Sequence, residues 1–278
     1  IDGDEAKIRM FVASKKAVNR KTETLKQYTK EICNMLTFLG KRLEDITGMD
    51  LRYYYGVMRE KRGIKMSTMQ TRLHYLSSFW DFLNSEELIR SNPVKKVGAL
   101  KLEKTIKKPF AAEELEALRE GCKELRDRAL VEFLYSTGVR VSELAALNVA
   151  DIEMGKQELI VYGKGSKERK TYLTDSARFY LRRYLQERDA KPDEPLFVTL
   201  DAPHDRLSVA GIQYMLRQLG QRAGVVGVHP HRFRRTIATD LLNRGMPIEQ
   251  VKEFLGHEKL DTTMIYCAVR AESVKASH

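Results

Sequence analysis

The stretch "DRALVEFLYSTGVRVSELAALNVADI" (Asp127–Ile152), with "QELIVYGKGSKERKTYLT" (Gln157–Thr174) close behind it, decides the fold class. The first reads as a helix, a Thr-Gly break and a second helix. The second reads as two short strands around a turn rich in glycine and lysine. Working outward, "AAEELEALREGC" (Ala111–Cys122) begins with acidic residues, as a helix start should. "SARFYLRRYLQER", "SVAGIQYMLRQLGQRAG" and "HRFRRTIATDLLNRG" carry helical spacing. So do two stretches of the first half. "TLKQYTKEICNMLTFLG" (Thr24–Gly40) repeats apolar residues at Leu25, Tyr28, Ile32, Leu36 and Leu39. "MSTMQTRLHYLSSFWDFLNSEEL" (Met66–Leu88) does so at Met69, Leu73, Leu76, Trp80 and Leu83, with Ser67 as an expected N-cap. The expected fold is mainly α with a small antiparallel β-sheet: a helical N-terminal domain and an α+β C-terminal domain.

Composition narrows the class. The 278 residues are 42% hydrophobic, enough for one or two cores. No apolar run approaches the roughly 18 residues of a membrane span, and "IDGDEAKIRM" has no apolar signal region. Cys33, Cys122 and Cys267 are far apart and lack ligand spacing, which fits free thiols and a reducing cytoplasm. The formal net charge is +11; residues 1–110 carry +10 and residues 111–278 carry +1. A basic first half suits a polyanion, most simply nucleic acid, or else a lysine-rich solubilising surface. Within it, Lys61, Arg62, Lys65 and Arg72 lie on the polar side of the apolar stripes and are candidates to face DNA. "NPVKKVGALKLEKTIKKPF" (Asn92–Phe110) reads as an exposed basic linker. The expected domains are 1–98 and 111–278, with the linker over 99–110; two domains on such a tether could close around a duplex as a clamp. No GxGxxG or Walker motif is present, which argues against a nucleotide-driven enzyme.

Six polar residues stand out: Arg140 after the glycine break, Lys164 in the β turn, His231 and Arg234 as H-x-x-R, His257 in "FLGH", and Tyr266 in "TTMIYC". Singly, each has a plain reading: a surface arginine, a hairpin lysine, a core tyrosine. His229 and His231 could suggest a metal, but no carboxylate or cysteine completes a ligand set. Together they suit one reaction. Two planar guanidinium groups can clamp phosphate oxygens bidentately. A tyrosine hydroxyl, with a reference pKa of about 10, needs a base to attack at neutral pH, and His231 can be that base. A lysine on a β turn could reach a DNA groove and protonate a departing 5′-oxygen. Neither metal nor cofactor is needed. Pro247 suits a helix start and Gly256 a helix end, with Asp261 as the next N-cap. That break would bring His257 and Tyr266 from two helices onto one phosphate.

These residues resemble the tyrosine recombinases, the integrase family that includes Xer-type and phage integrases. "TGVRVSELAALNVADI", "GKGSKER", "HPHRFRRTIATDLLNRG" and "EFLGHEKLDTTMIYCAV" look like its four motifs in order. The resemblance is strong over residues 110–270; residues 20–98 resemble the helical, SAM-like core-binding domain less specifically. It implies that Arg140 and Arg234 bind the scissile phosphate and that His231 is the general base. His257 would hydrogen-bond a non-bridging oxygen, Lys164 would protonate the leaving 5′-hydroxyl, and Tyr266 would form a 3′-phosphotyrosyl bond. Glu143 would orient these groups. Lys167, Arg169 and Arg232 are expected on the DNA side. Arg235 stands where many relatives have histidine, as an extra phosphate contact or a core-edge residue. The implied partner is double-stranded DNA, bound by a homotetramer on two duplexes through a four-way junction, with an accessory directionality factor. The implied role is integration or excision of a mobile element. Dimer resolution, a type IB topoisomerase and a decayed integrase that only binds DNA are the alternatives.

Overall fold

The computed structural model describes residues 2–98, 107–163, 168–257 and 263–264, except the side chains of Asp2 and Arg62. The chain divides into two compact units, residues 1–105 and 106–278.

The first unit holds α1 (Asp2–Ala17), α2 (Thr22–Leu39), α3 (Gly48–Arg62) and α4 (Met66–Ser85). Its helices form because apolar residues recur every three or four positions and so share one face. On α2 the buried stripe is Leu25, Tyr28, Ile32 and Met35; Leu36 and Leu39 pack at its edge. Gly40 ends the helix in the left-handed region (φ 61°), and its N–H returns to the Leu36 carbonyl. A reciprocal cap starts α3. The Thr47 hydroxyl accepts from the Asp50 N–H at 3.3 Å, and the Asp50 carboxylate accepts from the Thr47 N–H at 2.9 Å. The stripe Met69, Leu73, Leu76, Trp80 and Leu83 on α4 is buried as expected. Its cap is not: the helix begins at Met66 after Lys65, so Ser67 lies inside the first turn. Phe11 joins α1 to this core through edge contacts with Tyr28 and Phe79.

The second unit runs α5 (Ala112–Glu120), α6 (Leu125–Thr137), α7 (Val141–Ala146), β1 (Glu158–Tyr162), β2 (Glu168–Tyr172), α8 (Asp175–Glu187), α9 (Val209–Arg222), α10 (Pro230–Asn243) and α11 (Ile248–Leu255). Helix α6 is buried on nearly every side, with Ala129, Leu130, Val131, Phe133 and Leu134 all in the core. The strands pair antiparallel, Leu159 opposite Thr171 and Val161 opposite Arg169. That register turns Leu159, Val161 and Thr171 inward and leaves Ile160, Tyr162 and Tyr172 exposed. A smaller cluster, Ala238, Leu242, Val251 and Leu255, packs α11 on α10.

The segment expected as linker lies outside the described residues over 99–106. From residue 107 it is stitched to α10. The Phe110 N–H donates to Thr236 Oγ1 at 2.9 Å, the Lys108 carbonyl accepts from Arg235 at 3.1 Å, and the Arg232 guanidinium lies 4.1 Å from the Phe110 ring centre. No helix among the described residues is long and apolar enough to cross a membrane.

Candidate active site

The site gathers around two helix ends. Helix α6 stops at Gly138, which is left-handed (φ 56°); a side chain there would press on Ile237 and Leu255. The turn that follows delivers Arg140 to the start of α7. Glu143, one turn on, is buried and accepts from Arg140 twice: from its backbone N–H at 2.9 Å and its guanidinium at 2.7 Å. This caps α7 and orients the arginine at once.

Helix α11 stops at Gly256, also left-handed (φ 63°). The final carbonyls of a helix have no partner within it and carry its negative end. Here three successive carbonyls each receive a different arginine: Phe254 from Arg169 at 2.8 Å, Leu255 from Arg234, and Gly256 from Arg140 at 2.9 Å. Arg234 also donates to the Gly138 carbonyl, so its guanidinium ties the two helix ends together. The arginines differ in access. The Arg140 side chain is 33% exposed, while Arg234 is only 3% exposed and forms the floor.

His257 follows Gly256 directly. Its Nδ1 lies 2.9 Å from Thr263 Oγ1, and Thr263 is fully buried. Loss of solvation, then the charges of Arg234, Arg140 and Arg169, pull its pKa down to about 4. The ring is therefore neutral at pH 7. The tautomer in which Thr263 donates to Nδ1 leaves Nε2 carrying a proton to offer. His231, the second residue of α10, reaches solvent and makes no hydrogen bond among the described residues. Partial desolvation, then Arg234, Arg235 and Arg140, hold its pKa below the ordinary histidine value. It is neutral at physiological pH and able to accept a proton. For Glu143, burial favours the neutral acid, but the Arg140 N–H and the Arg169 and Arg140 guanidiniums outweigh it and keep the carboxylate ionised.

Four of the six expected residues, Arg140, His231, Arg234 and His257, thus lie in one electropositive cluster with Glu143. Lys164, Lys167 and Tyr266 lie outside the described residues.

The expected DNA-facing cations divide. Lys61 and Lys65 are exposed on the first unit, and the side chain of Arg62 is not described. Arg72 points inward instead, 3.5 Å from the buried carboxylate of Glu31. Arg169 is also turned inward, because alternation along β2 puts it on the face of buried Thr171. There it pairs with Glu143 at 2.7 Å, its side chain 7% exposed. Arg232 pairs with Glu114 and donates to the Val226 and Pro109 carbonyls, and buried Arg235 takes the core-edge role. These last two fasten the incoming chain to α10. The sequence reading missed Thr263 as the partner of His257, and it missed the inward role of Arg169; strand alternation was the available signal for the latter.

The pattern of the phage integrase family matches residues 104–273. The tyrosine recombinase XerC of Listeria monocytogenes serotype 4b is 34% identical, over 94% of this chain and 91% of its own length. Among solved structures, the XerA recombinase is 26% identical over 98% of both chains, with a TM-score of 0.55. The XerH site-specific recombinase, bound to a palindromic difH substrate in a post-cleavage complex, is 22% identical over 95% of this chain and 81% of its own, with a TM-score of 0.77.

Proposed function

The chain belongs to the phage integrase family, and we propose that its arginine–histidine pocket holds the scissile phosphate of a duplex recombination site. The protein is a site-specific DNA recombinase of the tyrosine type. The observation that carries the site assignment is the convergence of Arg140 and Arg234 on the ends of α6 and α11 beside His257, with positive charge in excess and His231 within reach of the same arginine charges.

The chemistry follows from these groups. Tyr266 Oη attacks phosphorus while His231 takes its proton. The P–O3′ bond is kept, the P–O5′ bond breaks, and Lys164 gives the departing 5′-oxygen its proton. The product is a 3′-phosphotyrosyl ester and a free 5′-hydroxyl. Attack by a 5′-hydroxyl from the other duplex reverses the step and releases the tyrosine. One phosphodiester is exchanged for another, so no nucleotide is consumed. Arg140, from its open position, neutralises a non-bridging oxygen as negative charge builds. Arg234 supplies charge from the floor, and His257 donates from Nε2. Lys61 and Lys65 contact backbone phosphates outside the pocket, which makes affinity fall with salt.

Strand exchange between two duplexes through a four-way junction requires a copy of the chain at each of four cleavage points, hence a tetramer. Integration and excision of a mobile element is the role proposed; resolution of dimers uses the same chemistry. A supercoiled plasmid carrying two directly repeated sites tests the reading. Recombination yields two smaller circles. Relaxation without them would mean a type IB topoisomerase, and binding without either product a decayed integrase.

A further inference from the structure

Arg169 takes no part in the reaction as written, yet both of its terminal nitrogens are anchored. The Glu143 side chain is 4% exposed, and its two oxygens are divided between two arginines. Oε1 accepts from the Arg140 guanidinium at 2.7 Å; Oε2 accepts from the Arg169 guanidinium at 2.7 Å and from the Arg140 N–H at 2.9 Å. The other terminal nitrogen of Arg169 holds the Phe254 carbonyl at 2.8 Å. Its aliphatic stem fills the space beside Gly256, where a β-carbon would lie 2.5 Å from Arg169 Cδ. One side chain therefore grips β2, α7 and the end of α11 just before His257.

A buried carboxylate is stable only when its lone pairs are satisfied. With both arginines present, Glu143 is satisfied by sharing, and the three side chains together keep one surplus positive charge. Without Arg169 that surplus vanishes. Glu143 would then draw Arg140 inward to fill the open side of its carboxylate. We propose that Arg169 is a positioning residue for Arg140: by occupying the far side of Glu143 it leaves Arg140 its outer edge and its charge for the scissile phosphate. In the same grip it fixes the chain exit that carries His257. This inference rests on the recombinase reading above.

A merely structural role for Arg169 is separable from this one by kinetics. Single-turnover cleavage of a nicked suicide duplex is measured for the wild type, Arg169→Ala, Arg169→Lys, Arg140→Ala and the double variant Arg140→Ala/Arg169→Ala. Arg169→Ala is expected to lower the cleavage rate about 10²-fold, the scale on which misplacement of a catalytic group acts, with duplex binding retained. Arg169→Lys, which restores a charge and a donor, should lose less. Because Arg169 works through Arg140, the double variant should cleave no more slowly than Arg140→Ala. A duplex with a methylphosphonate at the scissile position lacks one anionic oxygen and should narrow the gap between wild type and Arg169→Ala. Losses that multiply in the double variant, or a gap unchanged on the methylphosphonate, would overturn the proposal. Should Arg169→Ala melt below the assay temperature, the same comparisons made with Arg169→Lys decide it. A wild type that forms no adduct on any duplex it binds would instead overturn the recombinase reading itself.

Discussion

Glu31 in the first unit and Glu143 in the second are both buried beside arginine, and their charges are balanced differently. In the first unit Glu31 accepts from the Tyr54 and Tyr55 hydroxyls at 3.3 and 3.1 Å, and Arg72 stands 3.5 Å away. Burial there dominates and raises the carboxyl pKa, against Arg72 and the tyrosines. In the second unit two arginines at 2.7 Å keep Glu143 ionised despite its burial. The first arrangement links α2, α3 and α4 and is close to neutral. The second leaves positive charge in excess, on an arginine whose side chain is 33% exposed. A buried ion pair alone says little about function; the surplus of charge and the direction it faces are what separate a brace from a binding site.

The contrast can be broken most severely in the second unit. Tyr266→Phe should bind the duplex and form no covalent adduct, read on a denaturing gel. Arg140→Ala should slow cleavage by about 10²–10³-fold in single-turnover assays, the usual effect of losing a preorganised donor to a transition-state oxyanion. Lys164→Ala should fall by a similar order and recover on a 5′-bridging phosphorothiolate, whose sulfur departs without a proton. The same rate loss on both substrates would remove the general-acid role. In the first unit Tyr55→Phe should cost about 1–3 kcal/mol of stability in denaturant melts, because Glu31 loses a donor in a buried place. The cleavage step itself should be unchanged.

Acid sharpens the same comparison. His257 has a folded pKa of about 4, below its unfolded value of about 6.5. Above pH 6.5 both states are neutral. Between pH 6.5 and 4 the unfolded chain binds a proton that the folded site refuses, so stability falls. Glu143, with its lowered pKa, adds a further loss at lower pH as it is protonated. Glu31, with its pKa raised, has no such loss to add. Unit-resolved hydrogen exchange from pH 7 to 5 should therefore show the second unit weakening more than the first.

Much of this was legible in the sequence because it depends on local rules. The α6–glycine–α7 break, the hairpin and the Gly256 stop are written in residues whose backbone preferences are strong. The apolar stripes of α2 and α4 predict their own burial. Helix α3 was missed although Thr47 and Asp50 carry its capping signal, and α1 was missed because it sends only Phe11 fully into the core. The direction of long cationic side chains was the hardest thing to read. Arg72, Arg169, Arg232 and Arg235 all look like DNA contacts in a basic sequence. Each turns inward because a carboxylate, a carbonyl or a ring lies within reach only after folding, between residues as far apart as Arg235 and Lys108.

In the proposed reaction Tyr266 is the one nucleophile and the scissile phosphate its one target. The most direct measurement is to trap the protein on a nicked suicide duplex of its own recombination site, digest the complex, and identify the nucleotide-bearing peptide by mass spectrometry. A 3′-phosphonucleotide is expected on Tyr266, absent from Tyr266→Phe under conditions where that variant still binds. An adduct on any other side chain, or one that survives in Tyr266→Phe, would contradict it.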